Sequence, residues 1–184
     1  LSPYFRSLIK FTELAINDKS TSTFDFSKFN VEPEIQKTGH ITDVTQGKPN
    51  VLVQILKEPI SSKGPRISCE ISLPGRFIVV TPFNNFVNVS RKIQSTEERK
   101  RLQRIMESIK PNNFGVIVRT AAEGQSTAEL HKDLLNIIDS WKAIQFILKG
   151  AKPPMKILSE QNKTTSLLRD LLNKDFNKII ANDT

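Results

Sequence analysis

Residues 116–126 have the sequence VIVRTAAEGQS, in which an apolar strand leads through Arg119 and Thr120 and a loop of small residues into a helix. Three consecutive β-branched residues favour a buried strand. Ser126, followed three residues later by Glu129, is typical of an N-cap with a capping box. The end of the strand and the start of the helix therefore face each other. Free backbone N–H groups, the helix dipole and a guanidinium that can hold two oxygens suit this junction to a phosphate group.

The composition favours a polyanionic partner. The 184 residues include 27 lysines and arginines against 19 aspartates and glutamates, which gives a net charge of +8. Nucleic acid is therefore the first candidate, and an anionic membrane surface is the second. The sequence has no apolar run long enough to span a membrane. Its single cysteine, Cys69, excludes an internal disulfide and a thiolate zinc cluster, and it fits the cytoplasmic location that we expect.

The hydrophobic pattern predicts an α+β chain. Residues 1–48 are polar and irregular, apart from a helix predicted over 3–15. Strands are predicted over 51–57, 66–73, 77–82, 116–119, 156–158 and 178–180, with a basic hairpin loop at 61–65. Helices are predicted over 95–109, 127–149 and 165–172. We expect Ser95 and Glu98 to form a capping box at the first of these helices, as Ser126 and Glu129 do at the second.

Half of the net positive charge lies between Phe86 and Lys110, where seven basic residues face three acidic ones. A solvated helix face explains the residues from Arg99 to Arg104 at least as well as a binding surface does. Arg91 and Lys92 differ because they precede the helix cap, where side chains can converge on a backbone phosphate. We therefore predict that these two residues contact nucleic acid.

The sequence predicts no catalytic residue and no metal site. No pair of carboxylates falls at the ends of adjacent predicted strands, as a two-metal nuclease requires. Serine, histidine and cysteine form no nucleophile motif, and no glycine-rich loop fits a nucleotide. His131 is expected to be a partly buried helix residue. Phe24, Phe26 and Phe29 are expected to anchor a loop in the core rather than to stack on bases.

A series of short motifs extends from Val51 to Asp170. They are VLVQI at 51–55 with Lys57-Glu58, Lys63-Gly64, ISLPGRF at 71–77, VSRKI at 89–93, GVIVRTA at 115–121, Asp133-Leu134, Trp141 with Ile144, and Arg169-Asp170. In this order and spacing the chain from Val51 onward resembles the bacterial ribonuclease E/G family. These are endoribonucleases of messenger decay and ribosomal RNA maturation. Residues 1–48 match that family poorly.

The resemblance implies a modular nuclease of α+β class that is truncated at both ends. Residues 1–70 resemble part of an OB-fold RNA-binding β-barrel with a long polar insertion. Residues 71–162 resemble a mixed α/β 5′-monophosphate sensor subdomain, and residues 163–184 the start of a ribonuclease-H-like segment. The family's metal-binding aspartates would lie beyond Thr184, so we expect Mg²⁺ in the parent enzyme, no cofactor in this fragment and no cleavage of RNA by it.

The resemblance also assigns roles to individual positions. Arg119 and Thr120 match the residues that hold the 5′-terminal phosphate, the first through its guanidinium and the second through its hydroxyl and backbone N–H. Gly75 and Val79 match the turn and the strand that complete the pocket. Glu123 departs from a loop that is usually glycine-rich and basic in the family. An ion pair between Arg119 and Glu123 is the alternative explanation of this arginine.

Arg91 and Lys92 match positions along the path of the RNA backbone, and Lys63 matches a lysine in a hairpin of the barrel. Lys92 stands where an arginine is frequent, and a lysine lacks the bidentate fork of an arginine. The resemblance implies single-stranded RNA with a 5′-monophosphate as the partner and a homo-oligomeric parent protein. A membrane segment and a small-molecule substrate are not expected.

Two other functions fit part of the sequence. A non-catalytic RNA-binding module, such as a translation or ribosome-assembly factor, explains the charge and the barrel half equally well. A metabolic enzyme with a small phosphorylated substrate explains Arg119 and the helix N-terminus, but it does not explain the basic residues after Phe86.

Overall fold

The computed structural model of the chain describes residues 3–20, 24–31, 40, 42, 47–159, 167–168, 171, 176–178 and 180. Its helices are α1 (Pro3–Asn17), α2 (Thr96–Ile109) and α3 (Thr127–Leu148). Its strands are β1 (Gln54–Lys57), β2 (Arg66–Ser68), β3 (Leu73–Pro74), β4 (Ile78–Pro82), β5 (Val87–Val89) and β6 (Phe114–Val118). Two 3-10 helices cover Phe26–Lys28 and Thr120–Ala122. The predicted α+β class is confirmed.

A four-stranded sheet with the order β3-β4-β6-β5 forms the centre of the structure. Strand β4 runs antiparallel to β3 and β6, whereas β5 runs parallel to β6. Alternate residues of β4 and β6 are fully buried and pack in one core with α2 and α3; they are Ile78, Val80, Val116 and Val118. Because side chains alternate along a strand, Val79 and Ile117 lie on the opposite face, which the helices leave uncovered.

The helix starts follow their sequence signals closely. The Ser95 hydroxyl accepts the N–H of Glu98 at the start of α2, and Ser126 and Glu129 form a complete capping box at the start of α3. The second half of the box predicted for α2 is wrong, because the Glu98 carboxylate binds Arg101 and the backbone of a loop instead. Beyond α3, Gly150 adopts a φ of 67°, a left-handed conformation that favours glycine at a helix end.

An aromatic cluster joins the N-terminal segment to the rest of the core. Phe11 of α1 stacks on Trp141 of α3 with ring centroids 5.3 Å apart. Phe26 and Phe29 are buried against the same cluster, so the prediction that they anchor a loop is confirmed. One continuous core therefore extends from α1 to the end of α3.

The partial OB-fold barrel is not confirmed. The described part of residues 1–70 contains α1, the 3-10 helix Phe26–Lys28 and the two-stranded antiparallel sheet of β1 and β2. The single strand predicted over 66–73 is wrong, since β2 pairs with β1 and β3 pairs with β4. Between them the chain bends, and the Ser72 backbone exchanges hydrogen bonds of 2.8 and 3.1 Å with the side chain of Gln54.

Other predictions differ in detail. Strand β5 had no clear signal in the sequence, because Val87–Val89 alternates over only three residues. Residues 156–158 form no strand, although Ile157 packs against the core. His131 is exposed rather than partly buried. Most of the helix predicted over 165–172 and part of the strand predicted over 178–180 lie outside the described residues.

The side chain of Asn113 fastens the N-terminal segment to the start of β6. Its Nδ2 donates to the carbonyl oxygens of Phe26, Ser27 and Phe29 at 3.0, 3.2 and 2.6 Å, and its φ of 66° is one that asparagine tolerates well. We expect Asn113→Ala to lower the free energy of unfolding by about 2 kcal/mol, because the side-chain amide that donates to this cluster of carbonyls is lost. Urea unfolding measures this loss, with the exposed neighbour in Asn112→Ala as the control. Equal unfolding midpoints for the two variants would contradict the assignment.

Candidate phosphate-binding site

Arg119 lies at the exit of β6 and bonds to the turn that precedes β4. Its backbone N–H donates to the carbonyl oxygen of Phe77 at 2.8 Å. Its guanidinium Nη1 donates to the carbonyl oxygens of Gly75 at 2.8 Å and Arg76 at 3.4 Å. The structure therefore brings together Arg119 and Gly75, two of the residues predicted for the phosphate pocket.

The same turn is held from its other side by Asp133 of α3. The Asp133 carboxylate accepts the backbone N–H groups of Arg76, Phe77 and Ile78 at 3.1, 2.8 and 3.2 Å. Gly75 permits this close approach, because a Cβ at that position would lie 2.6 Å from Asp133 Oδ2. The turn is thus fixed through its N–H groups by a carboxylate and through its carbonyl groups by a guanidinium.

Thr120 and Val79 lie beside this turn. Thr120 opens the 3-10 helix that follows Arg119; its side chain is exposed, and its hydroxyl has no hydrogen-bond partner among the described residues. Val79 pairs with Pro74 of β3 and with Ile117 of β6, and its half-buried side chain lies on the uncovered face of the sheet. The four residues predicted for the phosphate pocket therefore occupy one corner of the sheet.

Helix α2 fixes the loop between Thr120 and α3. The Glu98 carboxylate binds Arg101 through two hydrogen bonds of 2.7 Å and accepts the backbone N–H of Gly124 at 2.9 Å. Arg101 in turn donates to the carbonyl oxygen of Gln125 at 3.0 Å. The Arg101 guanidinium, and then the Gly124 N–H, lower the pKa of Glu98 to about 2. Both residues are local to α2 in sequence, but together they hold a loop more than 20 residues away.

The N-terminus of α3 has a smaller part in the site than the sequence predicted. The Glu129 carboxylate accepts the backbone N–H of Ser126, and the Ser126 hydroxyl accepts the N–H of Glu129. These two N–H groups are thus satisfied by the capping box itself. The residues best suited to an anion are the guanidinium and the hydroxyl before the loop. Glu123, within that loop, is exposed.

The parallel pairing of β5 and β6 brings Arg91 and Lys92 to the same edge of the sheet as Arg119. The N–H of Ser90, directly before them, donates to the carbonyl oxygen of Val118 at 2.9 Å. Both side chains are exposed, and neither forms an ion pair within the described part of the chain. Lys63 is not part of this group. It lies exposed in the loop between β1 and β2, in the separate two-stranded sheet.

The residues that the structure describes contain no group of three or more histidine, cysteine, aspartate or glutamate residues arranged to hold a metal ion. None of their helices is long and apolar enough to cross a membrane.

The family model and the curated relatives that match this chain agree on one protein family. The model of the Ribonuclease E/G family matches residues 72–184. Ribonuclease E of Nostoc sp. is 37% identical over 144 residues, a match that covers 78% of this chain and 21% of that protein. Ribonuclease G of Haemophilus influenzae is 34% identical over 145 residues, covering 78% of this chain and 29% of that protein. Ribonuclease G of Escherichia coli K12 is 31% identical over 153 residues, covering 81% of this chain and 31% of that protein.

The chain therefore spans less than a third of the length of these curated relatives. Among solved structures, the RNase P protein of Staphylococcus aureus aligns with 40% of this chain and 82% of its own, at 22% identity. Its TM-score of 0.34 lies below the level of a shared fold.

The bond from Glu98 to the loop makes stability depend on pH. The pKa of Glu98 is lowered in the folded chain, so its contribution is complete above its ordinary pKa of 4.5 and is lost as the pH falls towards 2. We expect Glu98→Gln to unfold at lower urea concentration than the wild type at pH 7, with a difference that shrinks between pH 4.5 and 2. The control is Glu97→Gln, which removes an exposed carboxylate without an ion pair among the described residues. A difference that stays constant down to pH 2 would refute this role.

The three N–H bonds to Asp133 predict slow amide exchange at residues 76–78. Asp133→Asn replaces one acceptor oxygen with an NH₂ donor that faces other donors, so these amides should exchange at least tenfold faster, by about 1.4 kcal/mol of lost protection. Hydrogen exchange followed by NMR measures this change. Asp139→Asn, on the exposed side of the same helix, is the matched control. Unchanged exchange at 76–78 would show that the carboxylate does not hold the turn.

Proposed function

Because the chain belongs to the ribonuclease E/G family, we propose that it is the RNA-binding and 5′-monophosphate-sensing part of a single-strand-specific endoribonuclease. The observation that carries this proposal is the Arg119 guanidinium, anchored on the Gly75 carbonyl at the exposed corner of the sheet beside the Thr120 hydroxyl. In the parent protein this part would select RNA ends in messenger decay and ribosomal RNA processing.

Anchoring determines how Arg119 presents its charge. A guanidinium has five N–H donors in a rigid planar fork. Nη1 donates to the carbonyls of Gly75 and Arg76, and these two bonds fix the plane of that fork. A fixed, charged fork suits the oxygens of a terminal phosphate. The exposed Thr120 hydroxyl adds a donor at the next position in the chain, and Gly75 and Val79 form the adjoining wall.

A 5′-monophosphate end and a 5′-hydroxyl end of an RNA strand differ in charge. A phosphate monoester carries between one and two negative charges at neutral pH and exposes three oxygens, whereas a 5′-hydroxyl end carries no charge. A bidentate contact to the phosphate strengthens the binding of 5′-monophosphorylated RNA, and a 5′-hydroxyl end cannot form this contact. This difference is the physical basis of the proposed end selection.

Arg91 and Lys92 are proposed to contact the RNA backbone beyond its end. Their position at the same sheet edge as Arg119, and their exposure without an ion pair among the described residues, support this role. Such contacts do not depend on base identity. Lys63 is proposed as a further backbone contact from the β1–β2 hairpin, on the evidence of its exposure and charge.

The activity of the whole protein is a further part of the proposal. The relatives named ribonuclease E and ribonuclease G extend well beyond the matched region. We assign phosphodiester hydrolysis with Mg²⁺ to the parent protein, as a homo-oligomer in the cytoplasm. The residues described in this chain are assigned to RNA binding.

Two variants separate the roles of the arginines. Arg119→Ala should reduce the affinity for 5′-monophosphorylated RNA by about 10- to 100-fold, as expected for a lost charged hydrogen bond, and leave 5′-hydroxyl RNA unaffected. The double variant Arg91→Ala/Lys92→Ala should weaken both RNAs equally and reduce the slope of log affinity against log salt by about 1.4. Fluorescence anisotropy with one oligonucleotide carrying either end measures both effects. An Arg119→Ala protein that keeps the preference for the phosphorylated end would exclude the sensor role.

A further inference from the structure

The uncovered face of the central sheet carries one row of residues that crosses all four strands. The strand register aligns Pro74, Val79, Ile117 and Asn88 side by side. Pro74 and Asn88 are exposed, Val79 is half-buried, and Ile117 is 38% exposed although it belongs to the strand β6 in the interior of the sheet. This row is called the sheet platform below.

Arg119 lies beside the sheet platform, towards the C-terminal end of β6. It follows Ile117 by two residues in extended backbone, with φ −85° and ψ 164°, and so has the same parity along the strand. At about 3.3 Å per residue, its Cα lies roughly 7 Å from that of Ile117 along the strand. A strand of RNA that starts at Arg119 therefore meets the sheet platform within its first nucleotides.

An exposed aromatic ring lies on the other side of the sheet platform, towards the N-terminal end of β6. Gly115 precedes Ile117 by two residues, and a Cβ at Gly115 would lie 3.0 Å from Phe86 Cε1. The ring thus lies over the glycine, on the uncovered face, and Phe86 is 37% exposed. Its backbone is fixed, because its carbonyl oxygen accepts the N–H of Val116 at 2.9 Å. Arg91 and Lys92, exposed and without ion pairs among the described residues, follow the strand that carries Asn88.

We propose that the sheet platform and the Phe86 ring bind the bases of the nucleotides that follow the 5′ end of a single-stranded RNA. Single-stranded bases stack on aromatic side chains exposed on open sheet faces, and Phe86 offers such a ring. The aliphatic side chains of Val79 and Ile117 supply the apolar surface between the ring and Arg119. The adjacent cations match the charge of the RNA backbone, which favours RNA over an apolar protein partner. This inference rests on the proposed function.

The test measures the affinity of the 184-residue chain for oligoadenylates of one to eight nucleotides, each with a 5′-monophosphate or a 5′-hydroxyl. We expect Phe86→Ala to lose about tenfold in affinity for the tetramer and little for the mononucleotide. Phe86→Tyr, which keeps a ring, should retain the affinity. Phe146→Ala is the matched control, because Phe146 is an exposed phenylalanine on α3 outside the proposed surface. Oligonucleotides with 2-aminopurine at the second or third position should be quenched by the wild type and not by Phe86→Ala.

The outcomes separate this inference from the proposed function. If the wild type prefers the 5′-monophosphate but Phe86→Ala changes neither affinity nor 2-aminopurine fluorescence, the sheet platform is refuted and the sensor stands. If the wild type binds both RNA ends equally and Phe86→Ala binds RNA more weakly than the wild type, the sensor is refuted and the base contact stands. If Ile117→Lys abolishes self-association in sedimentation and leaves RNA affinity unchanged, the row binds a second copy and the inference is overturned.

Discussion

The three hydrogen bonds from the backbone of residues 76–78 to the Asp133 carboxylate are the constraint on which the candidate site depends. They tie the turn before β4 to the middle of α3, across more than 50 residues of sequence. With its N–H groups held in this way, the turn presents the carbonyls of Gly75 and Arg76 to Arg119 in a fixed direction. Through this turn, α3 orients the guanidinium indirectly.

The strand topology determines where the basic residues of the candidate site lie. Strand β5 is parallel to β6, so the residues that follow the two strands emerge at the same edge of the sheet. Arg91 and Lys92 follow β5, and Arg119 and Thr120 follow β6. An antiparallel β5 would send its cations to the opposite edge. Positive charge therefore converges on one corner of the sheet because of strand direction, and the Glu98–Arg101 pair keeps the adjoining loop in place without adding net charge.

Local signals were sufficient to predict most helices and much of the sheet. Ser126 with Glu129 and the buried run before Arg119 predicted the strand–loop–helix segment correctly, since both signals act within a few residues. Signals that depend on distant partners could not be read in the same way. The strand predicted over 66–73 is divided because its two halves pair with different strands, β1 and β4. The roles of Asp133 and Glu98 depend on loops far away in sequence. The pattern at 116–126 predicted an anion site at Arg119 and Thr120, whereas Gly75 and Val79 came from the family resemblance.

The aromatic cluster and Asn113 lie at the start of β6, whereas Arg119 lies at its end, roughly 20 Å away along the strand. The described residues from Pro3 to Val31, which the family model leaves unmatched, thus reinforce the sheet at the end opposite to the candidate phosphate site. Residues at one end of the sheet can consequently be substituted without altering contacts at the other end. Redesign of the N-terminal segment can therefore change the resistance of the chain to heat or denaturant without altering the contacts of the candidate phosphate site.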